Sequence, residues 1–132
     1  LNAKLPKLDE YNAARQLAAQ KYSQALANHK HNVTPYIAGE RDSHVFHQYT
    51  LRILDADRDG LMQHLLDKGI PCAIYYPIPL HSQKAYLDSR YKEEDFPVTN
   101  QLVKEVISLP MHTELEDDQI QFVTDSILEF LK

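Results

Sequence analysis

The stretch Ile70-Pro-Cys-Ala-Ile-Tyr-Tyr-Pro-Ile-Pro-Leu-His-Ser-Gln83 decides the fold of this chain, because a strand pattern gives way there to a segment that cannot pair regularly. Its apolar first half predicts a strand over Ile70–Tyr76. Pro77 and Pro79 lack backbone N–H donors, so pairing should stop there and the chain should stay extended. Tyrosines and a histidine at a strand end suit a sugar or phosphate site, but such side chains also close small cores by packing. The residues alone leave both interpretations open.

The residues before this stretch predict a helix, a strand and a second helix. Apolar side chains recur at three- and four-residue steps over residues 8–26, which predicts a long amphipathic helix. Residues 29–43 lack a clear period and predict a loop with at most one short strand. Val45–Leu54 is rich in β-branched and aromatic side chains and predicts a strand whose odd-numbered side chains face the core. Asp57 should cap a second helix that ends near Lys68.

The residues after the stretch predict two more helices. Pro97 should open the first of them, and its inner face should carry Val98, Leu102 and Val106. The capping-box spacing of Thr113 and Glu116 predicts the start of the last helix, whose inner face should carry Ile120, Val123, Ile127 and Leu131. The order of elements predicts an α+β fold in which helices pack on a short sheet. The first helix is long for so small a body, so it should contact something outside this chain.

Composition and charge exclude several classes of function. The chain has 132 residues, a formal net charge of −5 and no basic run longer than two residues, so we expect no nucleic-acid partner. No apolar run reaches the roughly 18 residues of a membrane span. The single cysteine, Cys72, fits a reducing cytoplasm, and its place in an apolar segment predicts a buried, inert thiol.

Two sequence patterns resemble metal sites but lack ligands at the positions that the metal would require. Residues 55–60, Asp-Ala-Asp-Arg-Asp-Gly, match the first half of an EF-hand calcium loop, but the twelfth position, which needs a glutamate, is Leu66. Zinc usually needs three or four protein ligands, and the seven histidines form only two close pairs, His29 with His31 and His44 with His47. We therefore expect no metal site, and a metal-dependent hydrolase is only a remote alternative.

A family resemblance starts from the same stretch. Ile74-Tyr-Tyr-Pro-Ile-Pro-Leu-His-Ser-Gln-Lys-Ala-Tyr86 resembles a signature of the DegT-type (DegT/StrS) nucleotide-sugar aminotransferases, which depend on pyridoxal phosphate. Four further segments resemble the family in the same order along the chain, at residues 5–15, 44–50, 58–70 and 108–112. The resemblance therefore covers essentially the whole chain, and it identifies the chain as the family's small C-terminal domain.

The resemblance implies a fold-type I architecture and an activity. In this family a large domain holds the cofactor on a lysine, and a small domain closes over an active site at a homodimer interface. The implied reaction moves an amino group, usually from glutamate, onto a nucleotide-linked keto sugar for surface polysaccharide or lipopolysaccharide in the cytoplasm. Residues 1–30 would be the linking helix and residues 44–132 the α+β body, and the large domain would be absent.

The resemblance also limits which residues can be assigned. None of the nine lysines lies in a context that resembles the family's cofactor loop, so we assign no catalytic and no cofactor-binding residue and expect no pyridoxal phosphate bound to this chain. Tyr75, Tyr76 and His81 match the stretch that approaches the sugar substrate. Gln48 is a further candidate for substrate binding. The Gln-Tyr-Thr and Tyr-Tyr-Pro patterns are closest to members that act on 3-keto sugars.

The first residue, Leu1, is not a methionine, which we interpret as the sign of a piece cut from a longer enzyme. Such a piece should be inactive alone, and it should bury its exposed surfaces by dimerising or by binding a neighbour. A stand-alone module that binds a nucleotide sugar or regulates a partner without catalysis is the alternative.

Overall fold

The helices begin where the sequence supplies a proline, a cap or acidic side chains. In the computed structural model, which describes residues 2–35 and 43–132, they span Leu8–Ala25 (α1), Arg58–Asp67 (α2), Pro97–Glu105 (α3) and Asp117–Phe130 (α4). The strands span Asn32–Val33 (β1), Tyr49–Ile53 (β2) and Val106–Leu109 (β3). The predicted α+β class is confirmed. Part of the predicted loop, residues 36–42, lies outside the described residues.

The strands of the described residues form one antiparallel sheet in the order β1-β2-β3. Asn32 of β1 pairs with Ile53, and Tyr49 at the other end of β2 pairs with Leu109 of β3. Strand β2 is therefore central, and alternate side chains along it face the core, which explains the full burial of Tyr49, Leu51 and Ile53.

The strand predicted over Val45–Leu54 is wrong over its first four residues, because β2 begins only at Tyr49. Phe46 has a φ of 46°, in the left-handed region that breaks the alternation of a strand. The Phe46 side chain is thereby 1% exposed, and its ring centroid lies 4.1 Å from that of His44. Val45, predicted to face the core, is 42% exposed.

The strand predicted over Ile70–Tyr76 is also wrong, since Ala73 alone pairs there with Ser108, through N–O distances of 3.1 and 2.7 Å. Pro71 and Pro77 flank this bridge and cannot donate to a ladder. The edge position belongs to β3, which sequence periodicity does not reveal because the strand has four residues.

The N-cap predictions have mixed outcomes. Asp57 caps α2 as predicted, and its Oδ1 accepts a 2.8 Å hydrogen bond from the Gly60 N–H. The capping box predicted from Thr113 is wrong. The box lies three residues later, where the Glu116 N–H donates to Gln119 Oε1 at 3.0 Å and α4 starts at the next residue.

Helix α1 has two halves with different surroundings. Ala18, Ala19 and Tyr22 in its second half are buried in the core that α2, α4 and the sheet complete. The first half was predicted to contact something outside this chain, and its side chains Leu8 and Tyr11 are exposed here. The exposed apolar side chains of α1 and of the turn before it, here called the outer apolar group of α1, are Leu5, Leu8, Tyr11 and Leu17. No helix among the described residues is long and apolar enough to cross a lipid bilayer.

The guanidinium group of Arg58, at the start of α2, forms hydrogen bonds with α3 and with the first residue of β3. Arg58 Nη1 donates to the carbonyl oxygens of Val103 at 3.0 Å and Val106 at 2.8 Å, and the Arg58 side chain is 11% exposed. The Val103 carbonyl lies in the last turn of α3, where no intrahelical donor is left for it, and Val106 is the first residue of β3. The apolar contacts of α3 are weaker than predicted, since Val98 is 66% exposed.

We expect the Arg58→Ala variant to lower the free energy of unfolding by about 1.5–3 kcal/mol, because two partly buried carbonyls lose a charged donor. Denaturant unfolding followed by circular dichroism measures the change. Arg90→Ala is the matched control, since Arg90 is exposed and pairs with Asp88 in a loop, and it should leave the midpoint unchanged. Equal midpoints for the two variants would contradict this role of Arg58.

Candidate functional site

Strand pairing brings together three segments that are distant in sequence. Gln48 directly precedes β2, Pro110 directly follows β3, and the bridge between Ala73 and Ser108 places the segment that leads to Tyr75 beside them. These segments surround a cleft of about 480 Å³, here called cleft 1. Two of the four predicted substrate residues, Gln48 and Tyr75, therefore line one cleft.

A second cleft of about 580 Å³, here called cleft 2, lies on the other side of Tyr75. Tyr76 and Tyr86 line it, and α3 closes it with Thr99, Leu102 and Val103. The Tyr75 side chain is 49% exposed and that of Tyr76 is 73% exposed. Tyr75 is thus the wall between the two clefts, and both tyrosine rings are accessible to a ligand.

His81 lies outside both clefts. Its ring stacks on Phe96 with centroids 4.3 Å apart and planes 18° apart. His81 Nε2 is buried and has no hydrogen-bond partner among the described residues. The structure therefore separates His81 from Tyr75 and Tyr76, although the three are close in sequence, and gives it a packing contact of its own.

Two histidines that were not predicted as substrate contacts also line cleft 1. They are His47, next to Gln48, and His112, two residues after Pro110. His112 Nδ1 accepts a 3.2 Å hydrogen bond from the Glu114 N–H, so the neutral ring carries its proton on Nε2. Recognising residues 106–109 as a strand would have placed His112 beside the bridge and revealed it.

Cys72 lines cleft 1 as a protonated thiol. Burial raises the pKa of the Cys72 thiol, and its Sγ donates weakly to the Met62 carbonyl at 3.7 Å. The residue is partly rather than fully buried. A raised pKa disfavours the thiolate, so the geometry gives Cys72 no nucleophilic role at neutral pH.

Among residues 2–35 and 43–132, no Asp, Glu, Lys or Arg side chain lines clefts 1 and 2. Pyridoxal phosphate needs a lysine to join and basic or N–H groups around its phosphate, so the residues that line these clefts do not fit it. Within residues 2–35 and 43–132, no three His, Cys, Asp or Glu side chains are grouped to hold a metal ion. The chemistry available in the clefts is hydrogen bonding by amide, hydroxyl and imidazole groups and contact with aromatic rings.

Comparison with known proteins identifies the family. The sequence model of the DegT/DnrJ/EryC1/StrS aminotransferase family matches residues 1–128. The chain is 39% identical over 134 residues to a pleiotropic regulatory protein of Geobacillus stearothermophilus, covering 100% of this chain and 35% of the relative. It is 40% identical over 120 residues to UDP-N-acetyl-3-dehydro-alpha-D-glucosamine 3-aminotransferase of Acidithiobacillus ferrooxidans, covering 91% of this chain and 31% of the relative.

Solved structures agree with the sequence comparison. The crystal structure of S. venezuelae DesV superimposes with a TM-score of 0.90 at 31% identity, covering 99% of this chain and 34% of that one. The chain thus spans about a third of the length of the relatives that it matches. The resemblance drawn from the five sequence segments is confirmed, and the chain belongs to the DegT/DnrJ/EryC1/StrS aminotransferase family.

Proposed function

We propose that this chain is the C-terminal small domain of a pyridoxal phosphate-dependent transaminase that moves an amino group, from glutamate, onto a nucleotide-linked keto sugar. The names of its relatives support this proposal. Besides the A. ferrooxidans 3-aminotransferase, the chain is 32% identical to dTDP-3-amino-3,6-dideoxy-alpha-D-galactopyranose transaminase of Aneurinibacillus thermoaerophilus. Both names place nitrogen at the third carbon of the sugar, which supports a 3-keto sugar as the substrate.

The observation that carries the proposal is the meeting of Gln48 and Tyr75 in cleft 1. An amide and a phenol can each donate and accept hydrogen bonds, and His112 adds an Nε2–H donor. The amide and the phenol match the hydroxyl groups of a sugar, whereas a diphosphate would favour Lys or Arg side chains. The Tyr75 ring can also cover an apolar face of the sugar.

The side chains that line the clefts indicate which part of the enzyme would bind the sugar nucleotide and which would bind the cofactor. Pyridoxal phosphate supplies the amino-transfer chemistry when bound, and the clefts of this chain do not fit it. The residues of this chain would bind and orient the sugar nucleotide and exclude water from one side of it. The lysine that joins the cofactor would belong to a large domain.

The outer apolar group of α1 supports a contact with that large domain. Its four side chains are between 39% and 64% exposed and lie on α1 or directly before it, while the second half of α1 is buried in the core. Exposed apolar side chains that are close together in the chain favour a contact with another domain. We propose that residues 1–30 link the two domains, that residues 44–132 form the body, and that the whole enzyme is a cytoplasmic homodimer that serves surface polysaccharide synthesis.

A cofactor titration tests the assignment. Adding pyridoxal phosphate to the full-length gene product should produce the shifted absorbance band of a cofactor joined to a lysine, and adding it to this chain should leave the spectrum of the free cofactor. Saturable band formation in this chain would contradict the assignment. A full-length product without the band would instead favour a module that binds or regulates without catalysis, in line with the name of the G. stearothermophilus relative.

A further inference from the structure

Helix α1 is fastened to the segment that leads into β2. Arg15 Nε donates to the Val45 carbonyl at 3.0 Å, and Gln16 Nε2 donates to the His44 carbonyl at 3.2 Å. Both acceptors lie within five residues of Gln48. One wall of cleft 1 is therefore held in place by polar side chains of a helix that itself does not line the cleft.

Tyr22 of the same helix contacts the neighbouring segment of cleft 1, which follows β3. Its hydroxyl group donates to the Pro110 carbonyl at 3.2 Å, and Pro110 lines cleft 1. The Tyr22 ring also packs on Tyr49, with ring centroids 5.0 Å apart, and Tyr49 directly follows Gln48. Ser23 adds a 2.9 Å hydrogen bond to the Tyr49 hydroxyl. A single fully buried side chain thus contacts both supports of the cleft.

We propose that Tyr22 is a positioning residue that holds Pro110, and the segment of cleft 1 that follows it, in place where the pairing of β2 with β3 ends. Its action is indirect, because its side chain is 0% exposed and cannot reach a ligand. The Tyr49 ring fixes where the Tyr22 ring lies, and the Tyr22 hydroxyl then fixes where the Pro110 carbonyl lies. Met111 and His112 follow Pro110 in the chain, so their places along the cleft depend on the same bond.

A merely structural role would be stabilisation without any effect on the cleft. Ser126→Ala is the matched control for that role, because Ser126 is 2% exposed and its hydroxyl donates to the Phe122 carbonyl at 2.8 Å within α4. It does not line cleft 1. Tyr22→Phe and Ser126→Ala each remove one buried hydroxyl group and keep the rest of the packing, so similar losses of stability are expected from both.

The two methionines of the chain report on the cleft directly. Met111 lines cleft 1, whereas Met62 lies on α2 and serves as the internal reference. In the chain labelled with ¹³C-methyl methionine, Tyr22→Phe should shift the Met111 signal and leave that of Met62 in place. Ser126→Ala should leave both signals in place. Equal Met111 shifts in the two variants, or none in Tyr22→Phe, would overturn the proposal.

The functional half of the inference rests on the proposed transamination. In the full-length protein, Tyr22→Phe should raise KM for the nucleotide sugar about threefold to tenfold, the weight of one buried hydrogen bond, with kcat within about twofold of wild type because no reacting group is touched. Ser23→Ala removes the hydrogen bond to the Tyr49 hydroxyl group, so it tests the contact on which Tyr22 packs, and it should also raise KM.

An unchanged KM beside a shifted Met111 signal would overturn the positioning role. A wild-type protein without transaminase activity would refute the proposed function, and the Met111 shift would still decide whether Tyr22 positions the cleft.

Discussion

On the proposed transaminase function, replacing Tyr75 with alanine should raise KM for the nucleotide-linked keto sugar by about 10- to 100-fold in the full-length protein, which corresponds to about 1.4–2.8 kcal/mol of binding free energy. Tyr75 is the wall between clefts 1 and 2, so its removal would merge them and take away both a ring and a hydroxyl group. Accessible aromatic side chains at the centre of a binding surface are the ones whose truncation costs most. Steady-state kinetics with varied sugar nucleotide measures the change.

Tyr91 offers the matched control. It is 54% exposed, close to the 49% of Tyr75, but its ring packs near Phe96 and lines neither cleft. Tyr91→Ala should leave KM within about twofold of wild type, and equal effects of the two alanine variants would remove Tyr75 from the site. Tyr75→Phe then separates the contributions, since recovery of KM assigns the binding energy to the ring and persistent loss assigns it to the hydroxyl group.

The helices of this fold could be predicted from sequence because their signals are local. Asp57 and Pro97 mark two helix starts within a few residues of where the structure has them. The strands could not be bounded in the same way. Phe46 turns the chain with a positive φ just before β2, and β3 is recognisable only through its partners in the sheet. Pairing between distant segments is a tertiary property that no window of sequence contains.

Some residues of the candidate site could be predicted from sequence, and others could be found only from the pairing of distant segments. Tyr75 and Gln48 were predicted, by resemblance, as separate substrate contacts, and the structure brings them into one cleft. His81 belongs to the same motif but stacks on Phe96 instead. His112 was missed because its place depends on the bridge between Ala73 and Ser108, which the prolines conceal in sequence. The residue types indicated the chemistry of the candidate site, whereas the pairing of the strands determined which residues line it.

The buried tyrosine pair should make the chain unfold in alkali. Burial raises the pKa of Tyr49 to about 12, although the hydrogen bond from Ser23 opposes the shift. Burial and the neighbouring charge of ionised Tyr49 raise the pKa of Tyr22 further. Tyrosine in an unfolded chain ionises near pH 10. Above pH 10 the folded chain therefore keeps protons that the unfolded chain has lost, and stability falls as pH rises.

The size of the effect follows from linkage. Each such tyrosine contributes a slope of about −1.4 kcal/mol per pH unit above pH 10, so Tyr49 alone should cost about 2–3 kcal/mol by pH 12. The contribution of Tyr49 is fully present below pH 10 and is lost as pH approaches 12, whereas the loss from Tyr22 also begins near pH 10 and continues to higher pH. Denaturant unfolding at a series of pH values between 9 and 12 measures the slope.

Tyr49→Phe isolates one member of the pair. It should remove about half of the alkaline slope while costing about 1 kcal/mol at pH 7, where only the hydrogen bond to Ser23 is lost. Comparing variant with wild type cancels the contribution of the Cys72 thiol, whose pKa burial also raises. Tyr76→Phe, at a ring that is 73% exposed, should leave the slope unchanged. If the slope of unfolding free energy against pH in Tyr49→Phe equalled that of the wild type, the Tyr49 ring of the folded wild-type chain would be hydrated in solution. Tyr22 and Tyr49 could not then hold cleft 1 as a dry, fixed pair, so the alkaline slope also tests the packing on which the positioning role of Tyr22 depends.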